Sequence, residues 1–439
     1  MGGGVLLSLF VSAASGGQSI LPRKLVMAAE DGKDRLSDLL RHVLSLLPPE
    51  DALQTCVLAT RWRKLWRRTT SLHFIAFDCE RCKQLVNLFI QLRGNSPLTK
   101  CEISTCPEDY PDHEDLYTNP EMLEVLIMYA LECQVKELLL NAGHIEDSPL
   151  TLDMPLLSRH LKILHLEHVT CSALNFSGCP VLDELKLQGC DIYARKISSK
   201  SLKRLYITNS CMVPEDFHIQ IFAPDLNSLQ IDYFDGVTPF LEDMPSLVTA
   251  YIGLGHECHY YCEKNMRGCD FRECGCHTYP IEGDVLLNGL SNVVNLELIA
   301  QPVMLIYRWD LERCPLFGAL KTLLLNEWFT TIDLVCILRH SPLLEMLTLQ
   351  LGNTENLVGA TAVPETTKQS FVCAHLEVVK IECTKVDAGI RKILNILSTC
   401  GVHYKKISIK EKCSFSNFFS FQKHGGLLAR VAPEVCAQP

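Results

Sequence analysis

The sequence predicts an α/β chain: a short N-terminal module of three helices, then an irregular solenoid of repeats around a curved parallel sheet. Apolar residues recur at helical spacing between Asp34 and Phe74. One six-residue apolar phrase returns about ten times between residues 135 and 409. The 439 residues are 47% apolar, enough for a sizeable core and too much for a mainly disordered chain.

In the first module, Leu36, Leu39, Leu40, Val43, Leu44 and Leu47 fall on one helical face. Pro48-Pro49 stop that helix, because proline lacks the amide donor and clashes with the preceding turn. Glu50 and Asp51 open a second helix, where acidic groups suit the positive end of the dipole. Ala59-Thr60 mark a break, and Trp62, Leu65 and Trp66 line a third helix. Three short helices cannot bury all this apolar surface alone, so the module wants a partner.

The repeat phrase carries apolar residues at positions one, four and six. It reads VKELLL from Val135, LKILHL from Leu161, LDELKL from Leu182, LKRLYI from Leu202, LNSLQI from Leu226 and LVTAYI from Leu247. After an interruption come VVNLEL from Val293, LKTLLL from Leu320, LEMLTL from Leu344, LEVVKI from Leu376 and finally YKKISI from Tyr404. The spacing, mostly about twenty to thirty residues, is that of leucine-rich repeats. Positions four and six point inward from a short strand, and position one turns inward just ahead of it. No repeat buries its own apolar face, so repeats stack and share one core.

Two connections show helical patterns of their own. Between Met122 and Cys133, Leu123, Leu126, Ile127 and Ala130 share a face. Asp387 is placed to cap a helix that turns Ile390, Ile393, Leu394 and Leu397 inward. Between Leu161 and Ile252 the repeats are too short for long helices, so turns or brief helical pieces are expected on the convex side. The residue between positions four and six faces out. His165, Lys186, Tyr206, Gln230 and Tyr251 are therefore the candidate target-binding set, a mix of rings, charge and amide that suits protein recognition.

A net charge of -10 argues against nucleic-acid binding as the main function. The basic cluster Arg61, Arg63, Lys64, Arg67 and Arg68 reads as a solvated helix face. No apolar run is long enough for a membrane span. The 22 cysteines are irregularly spaced and many lie in apolar runs, which suits a reduced intracellular chain. MGGGVLLSLFVSAASGG imitates a secretory signal but lacks its basic start, and Met27 offers an alternative start that would make residues 1–26 dispensable.

The interruption between Ile252 and Val293 is rich in Cys and His. Cys258, Cys262, Cys269, Cys274 and Cys276 are candidate ligands for a structural zinc, although their spacing forms no tidy pair of Cys-x-x-Cys hooks. No other cofactor is indicated. Gly253-Leu254-Gly255 lacks the third glycine of a phosphate loop, and His256-Glu257-Cys258-His259 falls one residue short of the zinc-protease pattern. Catalysis finds no support.

DRLS, DLLRHVLSLLPPEDA and VLATRWRKLWR together resemble the F-box. With the repeats and HLEVVKIECTKVDAGIRKILNIL, the chain resembles plant F-box proteins that carry leucine-rich repeats and an FBD-type C-terminal region. The resemblance covers about residues 34 to 410 and implies a non-catalytic substrate receptor of a cullin-based ubiquitin ligase. By that likeness the adaptor-facing set on a Skp-type adaptor includes Leu39, Leu40, Val43, Leu44, Leu47, Pro48, Val57, Leu58, Trp62 and Trp66. The repeats would hold an unknown substrate protein, in the nucleus or cytoplasm. The family usually carries a Leu-Pro-acidic segment between DRLS and the DLL run. Here Ser37 leads straight into Asp38, which puts adaptor affinity in question.

The resulting division is a disordered extension at 1–33, the F-box at 34–75, and repeats at 76–370 with the insertion at about 253–284. An FBD-like cap at 371–411 and a tail at 412–439 follow. Two alternatives stand beside the receptor. One is a repeat scaffold or decoy that no longer recruits the ligase. The other is a secreted recognition protein with disulfides and a glycan at Asn175.

Overall fold

Short parallel strands, stacked in register, organise the chain. The computed structural model describes residues 39–45, 65–75, 80–104, 120–142, 150–213, 217–254, 286–300, 307, 310–311, 313–352, 354 and 371–411. These divide into two compact units, one up to residue 143 and one from residue 144.

In the N-terminal unit, residues 39–44 are helical and Trp66–Arg68 form a 3-10 turn. The rest of the expected three-helix module lies outside the described residues. Three strands follow, β1 (Ser71–Ile75), β2 (Lys100–Ser104) and β3 (Glu137–Asn141), paired in parallel. Helices α1 (Glu80–Arg93) and α2 (Pro120–Glu132) supply the crossovers that parallel strands require. On α2, Leu123, Leu126, Ile127 and Ala130 are buried, as their spacing predicts. Helix α1 adds to the sequence expectation and buries Val86 and Phe89.

Arg93, at the end of α1, is buried and ties this unit together. It donates to Tyr129 Oη at 2.9 Å and to the Thr69 carbonyl at 2.9 Å, just beyond the 3-10 turn. The Trp66 ring packs beside Phe89 with centroids 5.2 Å apart.

The second unit is built on one parallel ladder. Its strands are β4 (Ile163–Glu167), β5 (Glu184–Gln188), β6 (Arg204–Thr208), β7 (Ser228–Asp232) and β8 (Thr249–Leu254). Then come β9 (Asn295–Ala300), β10 (Thr322–Asn326), β11 (Met346–Leu351), β12 (Val378–Cys383) and β13 (Ile407–Glu411). Each pairs with the next in sequence. The Cys/His-rich interruption leaves the ladder unbroken, because Thr249 of β8 pairs with Asn295 of β9.

Burial follows the phrase. Position-one residues Leu161, Leu182, Leu202, Leu226, Val293 and Leu320 are fully buried, as are Leu164, Leu166, Leu185, Leu187, Leu205 and Ile207 on the strands. Each buried leucine is worth about 1.5–3 kcal/mol relative to exposure, so stacking drives the fold. The last phrase departs from the rule: Tyr404, in a 3-10 turn just ahead of β13, is 72% exposed, and Ile409 on β13 is 40% exposed. Among the described residues, no further strand pairs beyond β13 to cover its inward positions.

The short repeats between residues 150 and 241 correct one expectation. Two further parallel ladders, not helical pieces, form their other sides. One runs through Leu150–Leu152, Val169–Cys171, Asp191–Ile192, Cys211–Met212 and Asp235–Gly236. The other runs through Leu174–Asn175, Lys196–Ser198, Gln220–Phe222 and Phe240–Leu241. Extended chain spans each side in few residues and satisfies its backbone groups in neighbouring repeats. The turn from the main ladder uses left-handed residues: His168, Gly189, Asn209 and Tyr233 all have positive φ, each just after its strand.

Later, longer repeats carry helices. Helix α3 (Thr331–Arg339) opens on a Thr330–Asp333 capping box. Helix α4 (Ala388–Thr399) opens on Asp387, which accepts from the Ile390 amide at 3.1 Å. Ile390, Ile393 and Leu397 are buried, while Leu394 is only half-buried. No helix among the described residues is long and apolar enough to cross a membrane.

Candidate target-binding face

The outward strand positions of the second unit form one continuous row. His165 pairs with Lys186, Lys186 with Tyr206, Tyr206 with Gln230, and Gln230 with Tyr251. Parallel in-register pairing sets these side chains one strand spacing apart, about 4.8 Å. The row continues through Glu297, Leu324, Thr348, Lys380 and Ser408.

His165, Lys186, Tyr206 and Gln230 are half-buried on the ladder. The Lys186 ammonium lies 5.3 Å from the Tyr206 ring centroid, within cation–π range. It also meets Glu184 Oε1 at 2.8 Å. Glu184 and Arg204 flank the row, with Arg204 Nε 2.6 Å from Glu184 Oε2 and its Nη2 on Asp183. Burial raises the Glu184 pKa, but hydrogen bonds from Lys186 and Arg204 outweigh it and hold the carboxylate below its ordinary range. Glu184 and Arg204 were not in the candidate set. Position three of the phrase faces out as position five does, and that alternation was the available signal.

Tyr251 differs from its row. It is 7% exposed, because its ring lies toward Asp232 and its hydroxyl donates to Asp232 Oδ1 at 3.1 Å. Gly253 makes room: a Cβ there would meet Tyr251 Oη at 2.7 Å. Burial pushes the Asp232 carboxyl up to about 6, and burial also raises Glu297. Tyr251 therefore interrupts the row, between the half-buried His165, Lys186, Tyr206 and Gln230 on β4 to β7 and the exposed Lys380 and Ser408 on β12 and β13.

Behind the row, small polar side chains stitch one repeat to the next. Cys190 Sγ lies 3.3 Å from the Leu166 carbonyl, and Ser210 Oγ takes the equivalent place 3.4 Å from the Leu187 carbonyl. Past the insertion, Asn326 accepts from the Ala300 amide and donates to its carbonyl, at 2.9 and 2.7 Å.

The adaptor-facing set is described only in part. Leu39 and Val43 are 59% and 42% exposed, Leu40 is half-buried, and Leu44 is buried. Trp66 is 2% exposed and belongs to the core with Phe89. Leu47, Pro48, Val57, Leu58 and Trp62 lie outside the described residues, as do Cys258, Cys262, Cys269, Cys274 and Cys276.

No family model and no solved structure matches the chain. Curated proteins of Arabidopsis thaliana do. An F-box/FBD/LRR-repeat protein is 30% identical over 260 residues, covering 50% of this chain and 58% of the relative. An F-box/LRR-repeat protein is 28% identical over 370 residues, covering 72% and 69%. An FBD-associated F-box protein is 26% identical over 402 residues, covering 78% and 89%. The chain thus spans little more than half the length of the first of these and most of the third. Over half to about four-fifths of its length the chain is thus similar to plant proteins named for an F-box, leucine-rich repeats and an FBD region.

Proposed function

We propose that the protein is the substrate receptor of a Skp-cullin-F-box type ubiquitin ligase. The observation that carries this reading is its likeness to proteins named F-box/LRR-repeat, together with the in-register row His165–Lys186–Tyr206–Gln230 on the repeats. The F-box docks a Skp-type adaptor, and through it a cullin, while the row binds a protein target. The receptor does no covalent chemistry. It holds the target near a charged ubiquitin carrier, and effective concentration supplies the acceleration. The thiol-rich composition suits the nucleus or cytoplasm.

Co-purification with a Skp-type adaptor tests the reading. Leu39 and Val43 are exposed, so Leu39→Asp with Val43→Asp is expected to abolish adaptor retention without unfolding the chain. Failure of the wild type to retain adaptor at micromolar concentration would overturn it. A second reading, a repeat scaffold that binds its target without recruiting the ligase, is favoured by the missing Leu-Pro segment after Ser37. Target capture without adaptor binding would establish it.

A further inference from the structure

We propose that Cys314, Cys336 and His340 form a three-ligand site for Zn2+, with water as the fourth ligand, that fastens the loop before β10 to the C-terminal end of α3. One ligand atom from each residue lies within 4.8 Å of the others. Cys336 Sγ and His340 Nδ1 are 3.8 Å apart. Zn–S and Zn–N bonds of about 2.3 and 2.0 Å in a tetrahedron require ligand atoms roughly 3.5–3.8 Å apart. The cluster therefore needs only a small contraction, not a refolding.

The placement is built by the surrounding chain. Cys336 and His340 are four apart on α3 and its cap, so they share one face. Cys314 enters from a turn in which its amide donates to the Leu311 carbonyl at 3.3 Å. Three residues on, the Phe317 amide donates to the His340 carbonyl at 2.8 Å, and the Phe317 side chain is buried. That backbone bond holds the cysteine-bearing loop against the helix end. All three residues are half-buried, which leaves an approach for the ion and a place for water.

Two thiolates and one imidazole are soft and borderline donors, which select Zn2+ over Mg2+ or Ca2+. Loading has a defined cost at His340, whose Nδ1 lies 2.9 Å from the Cys336 carbonyl. The metal replaces that hydrogen bond, and the ring proton sits on Nε2. The site shares no residue with the cysteines of the 255–285 segment.

The test uses the full chain, kept reduced with a phosphine, stripped of metal, and titrated with Zn2+ against a chromophoric chelator and with Co2+ alone. The background is a variant with serine at Cys258, Cys262, Cys269, Cys274 and Cys276, which removes the thiols of the other candidate region. One equivalent of Co2+ with a thiolate charge-transfer band is expected there. Cys336→Ser and His340→Gln should each weaken Zn2+ binding by roughly ten- to a hundredfold. Cys314→Ala, on a half-buried loop position, repeats the measurement where a helix variant fails to fold. Absence of the band in this background, or affinity unchanged by Cys314→Ala, overturns the site.

Discussion

Tyr251 donates its hydroxyl to Asp232 across the β7–β8 step, at 3.1 Å, and the carboxyl it meets is held up at about 6 by burial. The folded pKa lies above the ordinary 3.8, so between roughly pH 4 and 6 the folded state keeps a proton that the unfolded chain has released. The stability this carboxyl contributes is present below that window and lost as pH rises through it. Asp232→Asn keeps an acceptor for Tyr251 and removes the titration. Relative to this variant, wild type is expected to lose at most about 3 kcal/mol between pH 4 and pH 7.5. Urea unfolding at both pH values measures it; parallel behaviour of the two proteins would sink the idea. Glu297, also raised by burial, titrates in both and cancels.

The left-handed turn after each of β4 to β7 makes a second prediction. Gly189 has φ 59°, and a Cβ there would meet the His168 ring at 2.7 Å. Gly189→Ala combines a backbone penalty of about 1–2 kcal/mol with displacement of His168, whose amide bonds to the Gln188 carbonyl. A lowered melting temperature is expected. Asn209→Gly, at the same place one repeat later with φ 48°, should change it little. If both variants melt with wild type, the turn stack does not govern stability.

How much of this was legible in the sequence depended on the range of the determining interactions. Leu182, Leu185 and Leu187 announce a strand locally, and Asp387 announces α4, so both were readable. The two-residue strands Asp191–Ile192 and Cys211–Met212 carry no periodicity, and their pairing exists only once repeats stack. The burial of Tyr251 needs Asp232 on one neighbouring strand and Gly253 on its own, which no single repeat reveals. Cys314 and Cys336 come together only through the turn before β10, so no local spacing announces their cluster. Helix α1 is weakly announced, because Val86, Phe89 and Arg93 mark a face whose partners, Trp66 and Tyr129, lie on other elements.

If the row on β4 to β7 binds the target, Lys186 and Tyr206 act together, because the ammonium lies 5.3 Å from the ring centroid. Desolvated aromatic and cationic residues dominate interface energies. Tyr206→Ala is expected to weaken binding of the target at least about tenfold, with Lys186→Ala somewhat milder. Tyr404→Ala, 72% exposed beside the final strand, is the control and should change nothing. Titration calorimetry with the purified target separates these outcomes, and circular dichroism checks that Tyr206→Ala leaves the ladder intact. Equal affinity for all three variants would move the target elsewhere on the protein.

In the N-terminal unit, Arg93 is a buried cation whose described partners are neutral: Tyr129 Oη, the Thr69 carbonyl and Cys133 Sγ. Burial raises the Tyr129 pKa, with Arg93 pulling it back, so the phenol stays protonated and donates onward to the Gly94 carbonyl at 3.0 Å. Tyr129→Phe leaves the guanidinium and that carbonyl short of a partner and should cost about 1–3 kcal/mol. Arg93→Met removes the charge while keeping much of the volume, and replacing a buried charge by an apolar side chain is often neutral. In the Arg93→Met background, Tyr129→Phe should therefore cost less by at least about 1 kcal/mol. Unfolding measured on all four proteins closes the cycle. Additive effects would mean that Arg93 works through the Thr69 carbonyl and Cys133 Sγ, without help from the Tyr129 hydroxyl.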